Sequence, residues 1–287
     1  MVNKRNRPYF GTGGNSESFY AAGNKSTKQA PAWLAALGLD AYEYEAGNGL
    51  TAGEKSLREV GEAAKEHGIS MSFHTPYFIS LSGVDPEKRL KSIDYIEKSL
   101  WAASLLGADE IVIHCGSAGK ISREEAMRLA ADTLYKTLEA VGEPQIALGV
   151  ETMGKKNQLG TLDEVLELCK MDARLSPVVD FGHLNARDCG GIFPDADAYR
   201  ALFDKVANAL GDDKARYMHC HFSKIEWTAA GEKRHLTFAD GEYGPDFEPL
   251  MEAIAKEGLC PRIICESAGT MAEDALAMKQ YYLGLII

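Results

Sequence analysis

The sequence lacks the features that mark several classes of protein. Its six cysteines form no CxxC pair and no regular framework, which is typical of reduced thiols in a cytosolic protein. No apolar run approaches the roughly 18 residues that a membrane span needs. The basic start, MVNKRNRPYF, is not followed by the apolar segment of a signal peptide. We therefore expect a cytoplasmic protein without membrane association.

Positive charge is also scarce. The chain has 31 Lys and Arg against 42 Asp and Glu, a formal net charge of −11 and a pI of about 5.2. This balance argues against a broad basic surface for nucleic acid, although a local basic groove or a metal-mediated phosphate contact stays open. No linker rich in proline, glycine or serine interrupts the chain. We expect one domain over residues 1–287, and a monomer.

What is present is a regular alternation of short apolar runs with amphipathic stretches. Eight runs are consistent with strands, at 9–12, 41–45, 69–74, 110–114, 146–151, about 177–180, 216–222 and 262–266. The alternation predicts an α/β fold, a (β/α)8 TIM barrel. Predicted helix starts include capping boxes at Thr51, Ser122, Thr161 and Thr270, and a long helix from Asp85 whose buried face carries Leu90, Ile93, Ile96 and Leu100.

The third to eighth predicted strands each carry an imidazole or a carboxylate at the C-terminal end, at the edge where a barrel keeps its active site. These residues are His74, His114, Glu151, Asp180, His221 and Glu266. Each follows an apolar run in which such a group is costly to bury without a partner, so their convergence indicates a metal centre. His219 points to the same face as His221, and we favour His221 because it lies nearer the mouth.

The ligand chemistry favours Zn²⁺, with Mn²⁺ or Fe²⁺ as alternatives, because imidazoles and carboxylates are mixed without cysteine. Cys115 and Cys220 neighbour ligands but alternate away from the site. Several carboxylates allow one to bridge two ions, and Glu151 is the natural bridge. The plainer alternative for the stretch PVVDFGHLNARD is that Asp180 caps the next helix and His183 lies in a polar loop.

Six motifs in order, SFHTPYFISL, IVIHCGS, GVETMG, VVDFGH, the HFSK…KRH loop and IICES, resemble the endonuclease IV family of abasic-site endonucleases from about residue 69 to the end. The resemblance implies three zinc ions that hydrolyse DNA 5′ to an abasic site. It places His74, His114 and Glu151 at the first ion, Glu151 with Asp180, His221 and Glu266 at the second, and His183 with His235 at the third. Glu151 or Glu266 would be catalytic. Tyr77 would probe the DNA, with Lys224, Lys233 and Arg234 as further substrate contacts.

The chain departs from that family in three places. Lys233 stands where the family has an aspartate that holds the third ion. Glu232 or Glu226 could replace it, the third position could be empty, or the Lys233 cation could substitute for a metal charge. Ser223 and Lys224 replace an Asn-Asp pair. The loop after the second strand, AGNGLTAG, has no cation or aromatic residue for DNA contact.

A divalent-metal sugar isomerase or epimerase of the xylose-isomerase-like superfamily is the alternative, with a small sugar as substrate. The tetrad of Glu151, Asp180, His221 and Glu266 resembles that class equally well. His74 and His114 discriminate between the two, because a single-ion sugar enzyme has no evident need for two further imidazoles. A non-catalytic binding barrel is a weaker third hypothesis, since it gives the ligand set no purpose.

Overall fold

A computed structural model describes residues 4–286 of the chain. Eight parallel strands close into a barrel in the order β1-β10-β7-β6-β5-β4-β3-β2. They are β1 (Tyr9–Gly13), β2 (Ala41–Glu45), β3 (Ser70–His74), β4 (Glu110–His114), β5 (Ala147–Glu151), β6 (Leu175–Asp180), β7 (His219–Phe222) and β10 (Arg262–Cys265). The predicted TIM barrel is confirmed, and it forms one domain.

Helices cover the outside of the barrel and seal its core. They are α1 (Glu17–Ala21), α2 (Ala30–Leu37), α3 (Glu54–His67), α4 (Pro86–Leu106), α5 (Arg123–Val141), α6 (Leu162–Cys169), α7 (Phe181–Arg187), α8 (Ala196–Leu210), α9 (Asp212–Arg216), α10 (Glu248–Glu257) and α11 (Met271–Leu285). No helix within residues 4–286 is long and apolar enough to cross a membrane.

Two segments differ from the sequence prediction in ways that shape the site. The predicted polar loop after β7 contains an antiparallel hairpin, β8 (Ile225–Thr228) and β9 (Gly231–His235). His183 was expected in a polar loop, but it lies in α7. The Asp180 carboxylate caps this helix, accepting a hydrogen bond from the His183 N–H at 2.7 Å. The plainer reading of Asp180 as a cap is therefore correct, and it fixes the position of His183.

The helix-start predictions are correct in part. Thr161 and Glu164 form the full capping box of α6, and the Ser122 hydroxyl caps α5. The Thr51 prediction is wrong, because Gly53 is the N-cap of α3 and no side chain caps it. Thr270 precedes α11, but its hydroxyl binds Asp274 instead of capping.

The buried face of α4 also differs from the prediction. Leu90 is exposed, and only Ile96 of the four predicted residues is fully buried. Ser92, Ser99 and Ala103 lie on the inner side with it. Small side chains allow α4 to approach its neighbours closely, so the contact surface follows packing rather than hydrophobicity alone.

Candidate metal centre

Strand register brings the polar strand ends together. In the barrel, Glu45 pairs with His74 on the neighbouring strand, His114 pairs with Glu151, and Asp180 pairs with His221. The carboxyl ends of parallel strands meet at one rim, so these side chains converge there. The convergence expected from the sequence is therefore found.

Five groups of side chains within residues 4–286 could each hold a divalent ion, since within each group the ligand atoms lie within 4.8 Å of one another, and three of them contain the predicted ligands. These three groups are His74, His114 and Glu151; then Glu151, Asp180, His221 and Glu266; then His183, Glu232 and His235. All eight residues predicted as ligands fall within them. Glu151 belongs to two groups, which is the position expected of a bridging carboxylate.

Glu151 lies at the centre of these contacts. Its Oε2 is 2.9 Å from Nε2 of His114 and 3.5 Å from Nε2 of His74. Its Oε1 is 3.0 Å from Nδ1 of His221 and 3.5 Å from Nδ1 of His183. Both carboxylate oxygens therefore face imidazole nitrogens rather than hydrogen-bond donors of the backbone.

Backbone carbonyls orient two of the imidazoles. His74 Nδ1 lies 2.9 Å from the Thr75 carbonyl oxygen, and His183 Nδ1 lies 2.9 Å from that of Thr152. A carbonyl only accepts, so each Nδ1 must carry the proton. When each ring is neutral, its lone pair is therefore on Nε2 and directed into the site, as a metal ligand requires.

The donor set fits divalent ions. Asp180 Oδ2 is buried and has no hydrogen-bond partner within residues 4–286. An unpaired buried carboxylate oxygen is costly, and a cation would satisfy it. Mixed imidazole and carboxylate ligation suits Zn²⁺, Mn²⁺ or Fe²⁺. Cys115 and Cys220 are buried away from this set, and burial raises the pKa of both thiols, so they remain neutral.

Glu232 completes the third group, one of the possibilities that the sequence left open. Its Oε2 lies 3.5 Å from Nε2 of His183, whose ring is 5.5 Å from that of His235. A bulge in the hairpin explains this position. Glu226 pairs with Arg234 and Trp227 with Glu232, so Lys233 is the extra residue that shifts the alternation of β9.

The predicted cationic contacts are paired with acids of the same region. Lys233 and Arg234 both bind the carboxylate of Glu226 and are largely exposed. Lys224 lies 3.0 Å from Asp246 and 2.7 Å from the Asp240 carbonyl. Their role as substrate contacts stays a prediction, and a phosphate would have to compete with these acids.

Burial and crowding shift the acid–base behaviour of the site. Burial, with the charges of Asp180 and Glu151, raises the pKa of Glu266 to about 8 despite the opposing effect of His221. The three imidazoles around Glu151 outweigh its burial and hold its pKa well below the ordinary range. Burial opposes protonation of His74, but the nearby glutamates raise its pKa to about 10.

Beside the metal groups lies an open cavity of about 490 Å³. Tyr77 forms one wall, with its ring 5.3 Å from that of His74 and 5.5 Å from that of His114. The chain passes so close that a Cβ at Gly47 would lie 2.2 Å from the Tyr77 ring. Tyr77 thus lies where it could touch a bound substrate.

Two glutamates supply the carboxyl groups of that cavity. The described lining includes Glu45, Glu266, His235, Asn48 and Thr51, and neither lysine nor arginine. Burial, with the charge of Glu43, raises the pKa of Glu45 to about 7.

Glu43 and Glu45 were missed as site residues in the sequence. The signal was present in the strand AYEYE, where acids two residues apart point to the same face.

A closed (β/α)8 barrel with convergent imidazoles and carboxylates at its C-terminal rim defines the class of this protein. The chain belongs to the family described as xylose isomerase-like TIM barrel, whose model matches residues 31–281. This membership agrees with the fold and superfamily expected from the sequence.

Individual relatives point in different directions. An uncharacterized protein of Methanocaldococcus jannaschii is 31% identical over 253 residues, covering 86% of this chain and 89% of that protein. A probable endonuclease 4 of Acholeplasma laidlawii is 28% identical over 217 residues, 72% of each chain, which supports the resemblance read from the motifs. A solved D-tagatose 3-epimerase-like protein has a TM-score of 0.69 at 19% identity, covering 86% of this chain and 90% of that one, and shows the fold alone.

Proposed function

We propose that this protein is a zinc-dependent phosphodiesterase that hydrolyses DNA 5′ to abasic sites. The observation that carries the proposal is the placement of His74 and His114 around Glu151, next to the tetrad that ends in Glu266. That arrangement offers adjacent ion positions sharing one carboxylate. Similarity to a probable endonuclease 4 supports the same class of reaction.

Each residue of the site would have its own role in the reaction. Metal ions held by these groups would, when bound, stabilise both the attacking and the leaving oxygen of a phosphodiester. Glu151 and Asp180 would hold them. Glu266, which lines the cavity beside the tetrad, would in its ionised form accept a proton from the attacking water. Tyr77, at the cavity wall, would contact the DNA beside the abasic site.

Cleavage of a duplex with one abasic site tests the proposal. We expect the zinc-loaded protein to nick the damaged strand 5′ to the site and to leave an undamaged duplex intact, as read on a denaturing gel. Glu151→Gln should lose both metal and activity. Glu164→Gln, a matched change in the capping box of α6, should keep both, since glutamine also serves that cap. If the fully metal-loaded protein leaves the abasic duplex intact while a control enzyme cleaves it, the proposed nuclease activity is rejected.

A second function is favoured by the acidic cavity. A wall without lysine or arginine suits a neutral polyol better than a phosphate backbone. In the sugar isomerase or epimerase alternative, Glu151 and Glu266 would move a proton between substrate carbons. Incubation with ketohexoses in D₂O distinguishes the two, because a proton-transfer enzyme would exchange deuterium next to the carbonyl and a nuclease would not.

A further inference from the structure

Glu43 is a buried acid that lies just below the candidate metal centre. It occupies the middle of β2, where it pairs with Gly13 and Ser72 on the two neighbouring strands, and its side chain is fully buried. A carboxylate in such an environment is strongly unfavourable without partners. The groups that contact Glu43 therefore decide whether its carboxylate is stable at this position.

Those partners are two imidazoles. Glu43 Oε1 lies 2.8 Å from Nε2 of His221, and Oε2 lies 2.9 Å from Nε2 of His219. Within residues 4–286 neither of these short contacts has the geometry of a full hydrogen bond, and neither oxygen has a hydrogen-bond partner elsewhere. The protons of the two rings thus decide whether this carboxylate is satisfied.

The proton of His219 can be placed from the opposite side of its ring. Nε of Arg262 lies 2.7 Å from His219 Nδ1, and a guanidinium group only donates. Nδ1 must therefore accept, and the ring proton sits on Nε2, which lies 2.9 Å from Glu43 Oε2 and 3.2 Å from His221 Nε2. Arg262 is itself held by Asp109 at 2.6 Å and by the Ser70 hydroxyl at 3.0 Å, so the floor of the barrel fixes this tautomer.

The same carboxylate then orients His221. With a Glu43 oxygen 2.8 Å from its Nε2, a His221 ring that binds an ion through Nδ1 would carry its proton on Nε2, directed at that carboxylate. Its Nδ1 faces the metal ligands, hydrogen-bonded to Glu151 at 3.0 Å and 3.2 Å from Glu266. Backbone carbonyl oxygens orient His74 and His183, whereas His221 is oriented by the Glu43 side chain, which a single substitution can change.

We propose that Glu43 is a positioning residue that holds His221 as an Nδ1 ligand for the ion shared with Asp180 and Glu266. This rests on the metal centre of the proposed function, and it applies to the nuclease and to the sugar enzyme alike. Carboxylate partners of metal-bound imidazoles typically strengthen metal binding about 10- to 100-fold.

Glu43→Gln is a sharp test because its outcome follows from the fixed proton of His219. The amide oxygen must accept from His219, so the amide NH₂ must face His221. That contact forces the His221 proton onto Nδ1 and removes the ligand. We expect one ion to bind about 10- to 100-fold more weakly. Imidazole ¹⁵N spectra should lose a metal-bound Nδ1 resonance that the wild type shows.

Chelator-competition titration with zinc measures the affinities, and circular dichroism of the metal-free proteins reports folding. Glu43→Asp, which keeps a carboxylate, should bind more tightly than Glu43→Gln, and Glu164→Gln should match the wild type. Unchanged affinity and an unchanged Nδ1 resonance in Glu43→Gln would overturn the positioning role. A wild type that binds no zinc would remove the metal centre as well. Failure to cleave abasic DNA, with the Glu43 effect intact, would reject only the nuclease.

Discussion

At the scale of single residues, we expect Glu232 to decide how many ions the site can hold. The family pattern led us to look for a carboxylate at 233, where this chain has lysine. The bulge at Lys233 turns the neighbouring glutamate inward, towards His183 and His235, while Lys233 and Arg234 turn out to Glu226. The spacing of residues in the sequence does not reveal a bulge, because a hairpin with the bulge and one without it contain the same residues.

Glu232→Gln should therefore cost the protein one bound ion per chain, since the amide offers a neutral and weaker ligand than the carboxylate. Elemental analysis of the dialysed protein gives the count. Glu226→Gln is the matched control on the same hairpin, and it should retain every ion because Glu226 contacts Lys233 and Arg234 instead. Equal metal content in both variants would show that Glu232 is not a ligand.

At the scale of elements, the contact between α7 and the hairpin loop holds the third group together. Gly182 lies inside α7. A Cβ at this position would be 2.5 Å from the Ser223 carbonyl oxygen and 3.0 Å from the Ile225 side chain. The absence of a side chain at Gly182 therefore lets α7 lie against the segment that leads into β8.

Gly182→Ala should destabilise the protein by about 1–3 kcal/mol, because overpacking outweighs the roughly 1 kcal/mol by which alanine favours a helix. Urea unfolding measures the change. Gly284→Ala in α11 is the control, since a Cβ there meets nothing within 4 Å. It should be neutral or slightly stabilising. Equal stability of the two variants would mean that the loop yields to the methyl group at no cost.

The elements also show where sequence reasoning succeeds. Strand ends such as His114 and Asp180 are predictable because an apolar run fixes the strand, and parallel strands share one rim. The position of His183 within α7, the hairpin and the inner face of α4 are not, because they depend on contacts between segments far apart in the chain. Glu43 lay within reach of sequence reasoning, since it alternates with Glu45 along one strand.

At the scale of the whole molecule, the site concentrates acids in a chain that is already acidic, with a net charge of −11. Without metal ions, protons bound to the imidazoles offset the negative charge of the carboxylates at the rim. The pKa of His183 is raised to about 9, mainly by Asp180 and Glu232 against the effect of burial, and that of His74 to about 10. Both imidazoles are therefore protonated at pH 7 in the metal-free protein.

Zinc binding must displace those protons, because a protonated imidazole has no lone pair to offer. We expect proton release on adding zinc at pH 7, less release near pH 9.5, and zinc affinity that rises with pH until it passes the pKa values of about 9 and 10. A pH-indicator dye in weakly buffered solution counts the protons. His67→Gln, on the outer helix α3, should leave the count unchanged, whereas His183→Gln should lower it. Zinc binding without proton release at pH 7 would show that these imidazoles are already neutral and that the acids of the rim do not act on them as their distances imply.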